Sequence, residues 1–242
     1  MKPFAFFGHG LRFPRGVGLL LLAFLLILPA QAKELAKELN YLKPGQPDAT
    51  TLLAPPPAAG SAEEAADLAE VWAVHRAAPA SDIALAKEEK VITVFNFAPI
   101  IGDYFQADKL PKTAKFFKKI LEDADATTEP GKAFFKRPHP YTVDPKLAGD
   151  KQETSFSYPS SHSVRATTMA LVLAELLPDK AEAILAESRA IGWRRVERAR
   201  HYATDTYAGR VLAQAIVREL HKSKDFQKDF KKVKAELAAA QK

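Results

Sequence analysis

Residues 161–177 read Ser161-His162-Ser163-Val164-Arg165-Ala166-Thr167-Thr168-Met169-Ala170-Leu171-Val172-Leu173-Ala174-Glu175-Leu176-Leu177 and run into Pro178. Their dense apolar positions form a long helix, and proline, lacking an N–H, stops it. The polar stretch before it, roughly 141–158, reads as a loop. Pro159-Ser160-Ser161-His162 therefore falls on a loop-to-helix junction. Helical signals continue on both sides. Ser61-Ala62-Glu63-Glu64 is a capping box opening a helix to about Arg76, and Ser81 reads as the cap of another. Pro111 to Ala126 is amphipathic, with Phe116, Phe117, Ile120 and Leu121 on its apolar face. Asp179 is placed to cap a helix towards Arg198, and a further helix is expected from about Thr204 to Lys222. The tail, 223–242, alternates lysine with Phe, Val and Leu, as a surface helix does. Val91 to Phe105 is β-branched and aromatic, yet isolated among helical patterns, so a buried helix or loop is expected there. The fold expected is all-α, a single-domain helical bundle.

The N-terminus predicts export. Lys2, Arg12 and Arg15 precede an apolar run from Gly16 to Leu28, and Ala30-Gln31-Ala32 is a small-x-small cleavage pattern. That run falls short of the roughly 20 residues needed to span a bilayer. The expected division is a signal peptide over 1–32, an extended lead-in over 33–60 rich in proline near Pro55-Pro56-Pro57, and a helical domain over 61–242. Cleavage would leave no membrane anchor and a periplasmic protein. The net charge of +6 falls to +3 once residues 1–32 are set aside, a balance that attracts anions mildly and does not call for nucleic acid. Without cysteine there are neither disulfides nor thiolate metal sites.

Three short elements carry chemistry. At the 159–162 junction, free backbone N–H groups and the positive end of a helix form an anion site. Ser160 and Ser161 add hydroxyls, and His162 is placed to donate a proton. The tetrapeptide alone reads equally as a capped helix start. The second element is Arg195-x5-His201-x3-Asp205. The i,i+4 spacing lets the Asp205 carboxylate reach the His201 imidazole, fixing its tautomer and freeing the other nitrogen to attack. The third is Lys132-x6-His139-Pro140, which includes Arg137. Lys132 and Arg137 could face one side, with the arginine fork suited to phosphate oxygens. Phe134 and Phe135 read as core. The remaining histidines, His9, His75, His139 and His221, show no metal-ligand spacing, so no metal and no cofactor are expected.

In order, these elements resemble the signature of bacterial class A non-specific acid phosphatases, within the superfamily of type 2 phosphatidic acid phosphatases and vanadium haloperoxidases. That signature is Lys-x6-Arg-Pro, Pro-Ser-Gly-His and Ser-Arg-x5-His-x3-Asp. The Leu53 to Ser61 lead-in and Ala208-Gly209-Arg210 are similar to the same family. Three positions depart from it: Ser161 for glycine, Arg194 for serine, and His139 for the arginine of Lys-x6-Arg-Pro. Because histidine binds phosphate firmly only when protonated, that last departure predicts that Arg137 shares the contact or that activity leans to acid pH.

The resemblance implies a metal-independent hydrolysis of small phosphomonoesters by a homo-oligomer. His201 would be the nucleophile, oriented by Asp205, and His162 the acid and then the base. Lys132, Arg195, Ser160 and the N–H groups of Ser161 and His162 would bind the phosphate, with Arg137 and His139 alongside. Two other outcomes remain open: a non-catalytic anion-binding relative, and a vanadate-dependent haloperoxidase.

Overall fold

The computed structural model describes residues 39–149 and 152–241. The expected signal peptide and the first residues of the lead-in lie outside them. Among the described residues, seven helices of eight or more residues carry the fold. These are α1 (Ala62–Ala77), α2 (Ala80–Glu88), α3 (Pro111–Phe135), α4 (Ser161–Leu176), α5 (Ala181–Glu197), α6 (Ala203–Leu220) and α7 (Lys224–Ala240).

The helix over 161–176 is the hub. It packs against α5, α6 and α3, and ten of its side chains are buried, including Val164, Met169, Val172 and Leu173. Its first turn is pressed hard against α6. A Cβ added to Gly209 would lie 2.7 Å from Ser163 Cβ and 2.8 Å from the Ser160 carbonyl, so only glycine allows this approach. Ser163 Oγ then donates to the Thr206 carbonyl at 2.7 Å, tying the two helix starts together.

Most boundaries follow the sequence, and the exceptions have local causes. Ser61 caps α1 by accepting from the Glu64 N–H at 3.0 Å. Ser81 is not a cap: α2 begins one residue earlier after Pro79, and the serine hydroxyl turns to Asp82. Asp179 falls instead in a 3₁₀ turn, Pro178–Lys180, ahead of α5, which starts without a side-chain cap. The 91–105 run forms a 3₁₀ turn and a short helix, Val94–Phe97 and Ala98–Ile101; no strand occurs among the described residues.

The largest difference is α3, which runs nine residues past Ala126 and through Pro130. Proline removes one backbone donor from the ladder. Burial of Phe116, Phe117, Ile120 and Ala124 on one face, and of Gly131 and Lys132 in the last turns, holds the helix on its course. It stops where Lys136 takes a left-handed conformation, φ 49°.

The lead-in from Leu39 is anchored. The Asp123 carboxylate accepts from the N–H groups of Asn40, Tyr41 and Leu42 at 2.7, 2.7 and 3.1 Å, and Tyr41 packs on Phe116 and Phe226. Pro55 to Pro57 lie at the surface, as expected. A smaller apolar cluster of Val71, Tyr141, Leu147, Val196, Ala199 and Tyr202 packs beneath the chain segments that carry the chemistry.

Candidate active site

The three elements meet at the N-terminal ends of α4 and α6. His201 precedes α6 by two residues, and Asp205 sits in its first turn. The i,i+4 spacing brings His201 Nδ1 to 3.3 Å from Asp205 Oδ2. That carboxylate is fully buried, and three other groups hold it. Arg137 donates to Oδ1 at 2.8 Å, the Tyr202 N–H donates to Oδ2 at 2.9 Å, and the Ser157 hydroxyl donates to Oδ2. Ser157 Oγ also lies 3.2 Å from His201 Nδ1. Burial alone would raise the Asp205 carboxyl. The hydrogen bond and charge of His201, with Arg137 and Ser157, outweigh it and hold the group below the usual carboxylate range.

The Pro159–His162 element is bound directly to the Arg195–Asp205 element. The Ser160 N–H donates to the Asp205 carbonyl at 3.1 Å, and Ser160 caps α4. Ser161 and His162 are the first two residues of the helix, where backbone N–H groups have no intrahelical acceptor. His162 Nε2 lies 3.0 Å from the Glu89 carbonyl and 3.5 Å from Arg195 Nη1. Burial, then the charges of Arg195 and His201, push its pKa down to about 3. The residue is not fully buried and keeps part of its surface towards solvent.

Arg195 is buried near the end of α5. Its Nη2 donates to the Ala86 carbonyl, and Glu89 Oε2 stands 3.8 Å away. Its Nε is buried with no hydrogen-bond partner among the described residues. Burial lowers its pKa to about 10. Arg194, where the family pattern has serine, grips Glu89 through Nε at 2.9 Å and through Nη2, fixing the segment whose carbonyl meets His162.

The Lys132–Pro140 element divides. Lys132, in the last turn of α3, is 3% exposed and donates to the Phe156 carbonyl; burial lowers its pKa. Arg137, expected beside the phosphate, has protein partners for both terminal nitrogens, while its Nε has none among the described residues. The turn at Lys136 sends it to Asp67 at 2.6 Å, Thr204 at 2.7 Å and Asp205, with its guanidinium 3.6 Å over the Tyr202 ring.

His139 is likewise drawn inward. It stacks on Tyr141, its Nδ1 faces the Arg200 carbonyl at 2.6 Å, and its Nε2 faces the Ser155 carbonyl at 3.0 Å. Those carbonyls favour the protonated ring. Burial, seconded by His201, prevails and lowers its pKa to about 4, so it cannot replace the charge of an arginine at mildly acid pH. Phe134 corrects another expectation, being 62% exposed, while Phe135 packs edge-on against Tyr158.

Some participants left no sequence signal. Ser157, Asp67 and Glu89 are single polar residues outside the motifs, recognisable only once the chain is folded. The same holds for one potential ligand set: single ligand atoms of His139, Glu153 and His201 lie within 4.8 Å of one another.

Comparison with known proteins shows the family. The family profile described as PAP2 superfamily matches residues 120–228, a span that holds all three elements. A non-specific acid phosphatase of Providencia stuartii is 30% identical over 236 residues, 90% of this chain and 93% of that protein. An acid phosphatase of Zymomonas mobilis is 28% identical over 205 residues, 80% of this chain and 76% of that protein. A non-specific acid phosphatase of Salmonella typhimurium is 28% identical over 162 residues, covering 63% of this chain and 65% of its own length. The similarity to the Providencia protein extends well beyond the matched profile, over nearly the full length of both chains. The protein is a helical phosphatase of the PAP2 superfamily and belongs to the bacterial non-specific acid phosphatases.

Proposed function

We propose that the chain hydrolyses small phosphate monoesters outside the cytoplasm by two phosphoryl transfers through a phosphohistidine on His201. The observation that carries this reading is the pairing of His201 Nδ1 with Asp205 at 3.3 Å. It fixes the imidazole tautomer and leaves Nε2 as the nucleophile. The substrate phosphate would be held by Arg195, Lys132, the Ser160 hydroxyl and the N–H groups of Ser161 and His162. A phosphate oxygen would also give the buried Arg195 Nε an acceptor.

In the first step His201 Nε2 bonds to phosphorus, the P–O bond to the leaving group breaks, and His162 protonates the departing oxygen. In the second, His162 takes a proton from water, the water oxygen bonds to phosphorus, the P–N bond breaks and phosphate leaves. The buried cations stabilise the charge spread over the equatorial oxygens, the main catalytic task in such transfers. None of these steps uses a metal ion. Among the described residues no helix is long and apolar enough to cross a membrane. The 1–32 segment has the pattern of an export signal.

Release of phosphate from p-nitrophenyl phosphate, with and without chelator, tests the reaction. Labelled phosphate trapped on His201 and stable to alkali tests the intermediate. His201→Ala is expected to abolish both; full activity in that variant would reject the assignment. A protein that binds phosphate without releasing nitrophenol would be an anion-binding relative instead.

A further inference from the structure

His139 is the departure from the family pattern, and the fold sets it beside the proposed nucleophile, with ring centroids 5.2 Å apart. A ligand atom from each ring and a carboxylate oxygen of Glu153 all fall within 4.8 Å of one another. Two imidazoles and a carboxylate are a recurrent donor set for Zn²⁺. The outer contacts of both rings fit the same role once His139 Nε2 gives up the Ser155 carbonyl at 3.0 Å for the ion. His139 Nδ1 faces the Arg200 carbonyl at 2.6 Å, and His201 Nδ1 faces Asp205 at 3.3 Å. A carbonyl or carboxylate on one nitrogen orients the other towards a metal. Nε2 of His139 is 3.9 Å from Glu153 Oε2.

In a tetrahedral site with bonds of about 2.1 Å, ligand atoms stand about 3.4 Å apart. The three donors must therefore draw together by an ångström or so, about what one side-chain rotation supplies. Glu153, whose side chain is 41% exposed, is free to make that movement. Lys132 and Arg195 repel a dication, whereas Glu153 and Asp205 attract it. The binding expected is accordingly reversible, weaker than that of a closed structural zinc site.

We propose that Zn²⁺ binds to His139, Glu153 and His201 and inhibits the enzyme by occupying the nitrogen that must attack phosphorus. The inhibition rests on the role assigned to His201 above; the binding does not. The test uses the full chain, stripped with chelator and dialysed. Retained zinc is measured by equilibrium dialysis, Co²⁺ supplies a visible spectrum, and p-nitrophenyl phosphate turnover is followed in parallel. One Zn²⁺ per chain is expected, with inhibition competitive with substrate and reversed by chelator. Glu153→Gln should keep basal turnover and require about tenfold more Zn²⁺ for half-inhibition. His139→Gln should lose the bound ion.

Equal zinc sensitivity of wild type and Glu153→Gln overturns the proposal, as does an active wild type that retains no zinc. An inactive wild type that binds one zinc, lost in His139→Gln, supports the metal site and rejects the proposed function instead.

Discussion

Arg137 Nη1 lies 2.8 Å from Asp205 Oδ1, so the carboxylate that holds His201 is itself held from behind by a buried cation. Arg137 thus braces the Asp205 carboxylate and joins it to Asp67.

Replacing Arg137 with leucine leaves Asp67 and Asp205 as buried, uncompensated charges. A loss of about 3–5 kcal/mol is expected, read from urea unfolding. The Asp205 pKa is held low in the fold, so its contribution to stability is present above the ordinary carboxylate pKa and lost as pH falls below it. In Arg137→Leu that loss should begin at higher pH. A variant as stable as wild type at neutral pH would contradict the pairing.

Ser157 links the two ends of the dyad, donating to Asp205 Oδ2 and lying 3.2 Å from His201 Nδ1. Ser157→Ala removes one hydrogen bond to a charged group, worth about 1.5–3 kcal/mol. A fall in kcat of about tenfold or more, with KM little changed, is expected from steady-state kinetics.

Gly209 is the contact between α6 and the start of α4, with its added Cβ meeting Ser163 at 2.7 Å. Gly209→Ala should cost about 1–3 kcal/mol through overpacking. It should also push Ser160 and Ser161 out of place, so phosphate affinity falls along with thermal stability. Unchanged inhibition by phosphate would show that the junction tolerates the methyl group.

His162 gives the pH dependence. In the free protein its pKa is about 3, against an ordinary value near 6.5 in the unfolded chain. The folded state therefore binds fewer protons, and stability is lost as pH falls from about 6.5 towards 3. Bound phosphate offsets the Arg195 charge and raises the His162 pKa, so binding at about pH 5 should take up a proton. Calorimetry in two buffers of different ionisation enthalpy measures it. His162→Gln should abolish the uptake, and phosphate should raise Tm more at about pH 5 than at about pH 7.5.

Much of this was readable in the chain because it is local. The helix over 161–176 and its serine cap, the helix end before Pro178, and the reach of Asp205 to His201 all depend on residues within a turn or two of one another. Periodicity and capping report that range faithfully. The Pro130 passage shows where the local rule gives way: burial along one face outweighs a missing donor, and Lys132 is delivered by a helix the sequence pattern ends too early.

The remainder depends on partners distant in sequence. Arg137 finds its carboxylates 70 and 68 residues away, at Asp67 and Asp205. His139, which has no metal spacing in the sequence, gains His201 and Glu153 as neighbours only when α3 and α6 are packed on α4. Motif order records which groups are present. Packing decides which buried charges meet, because each can be paired only with a partner that the tertiary fold brings within hydrogen-bond reach.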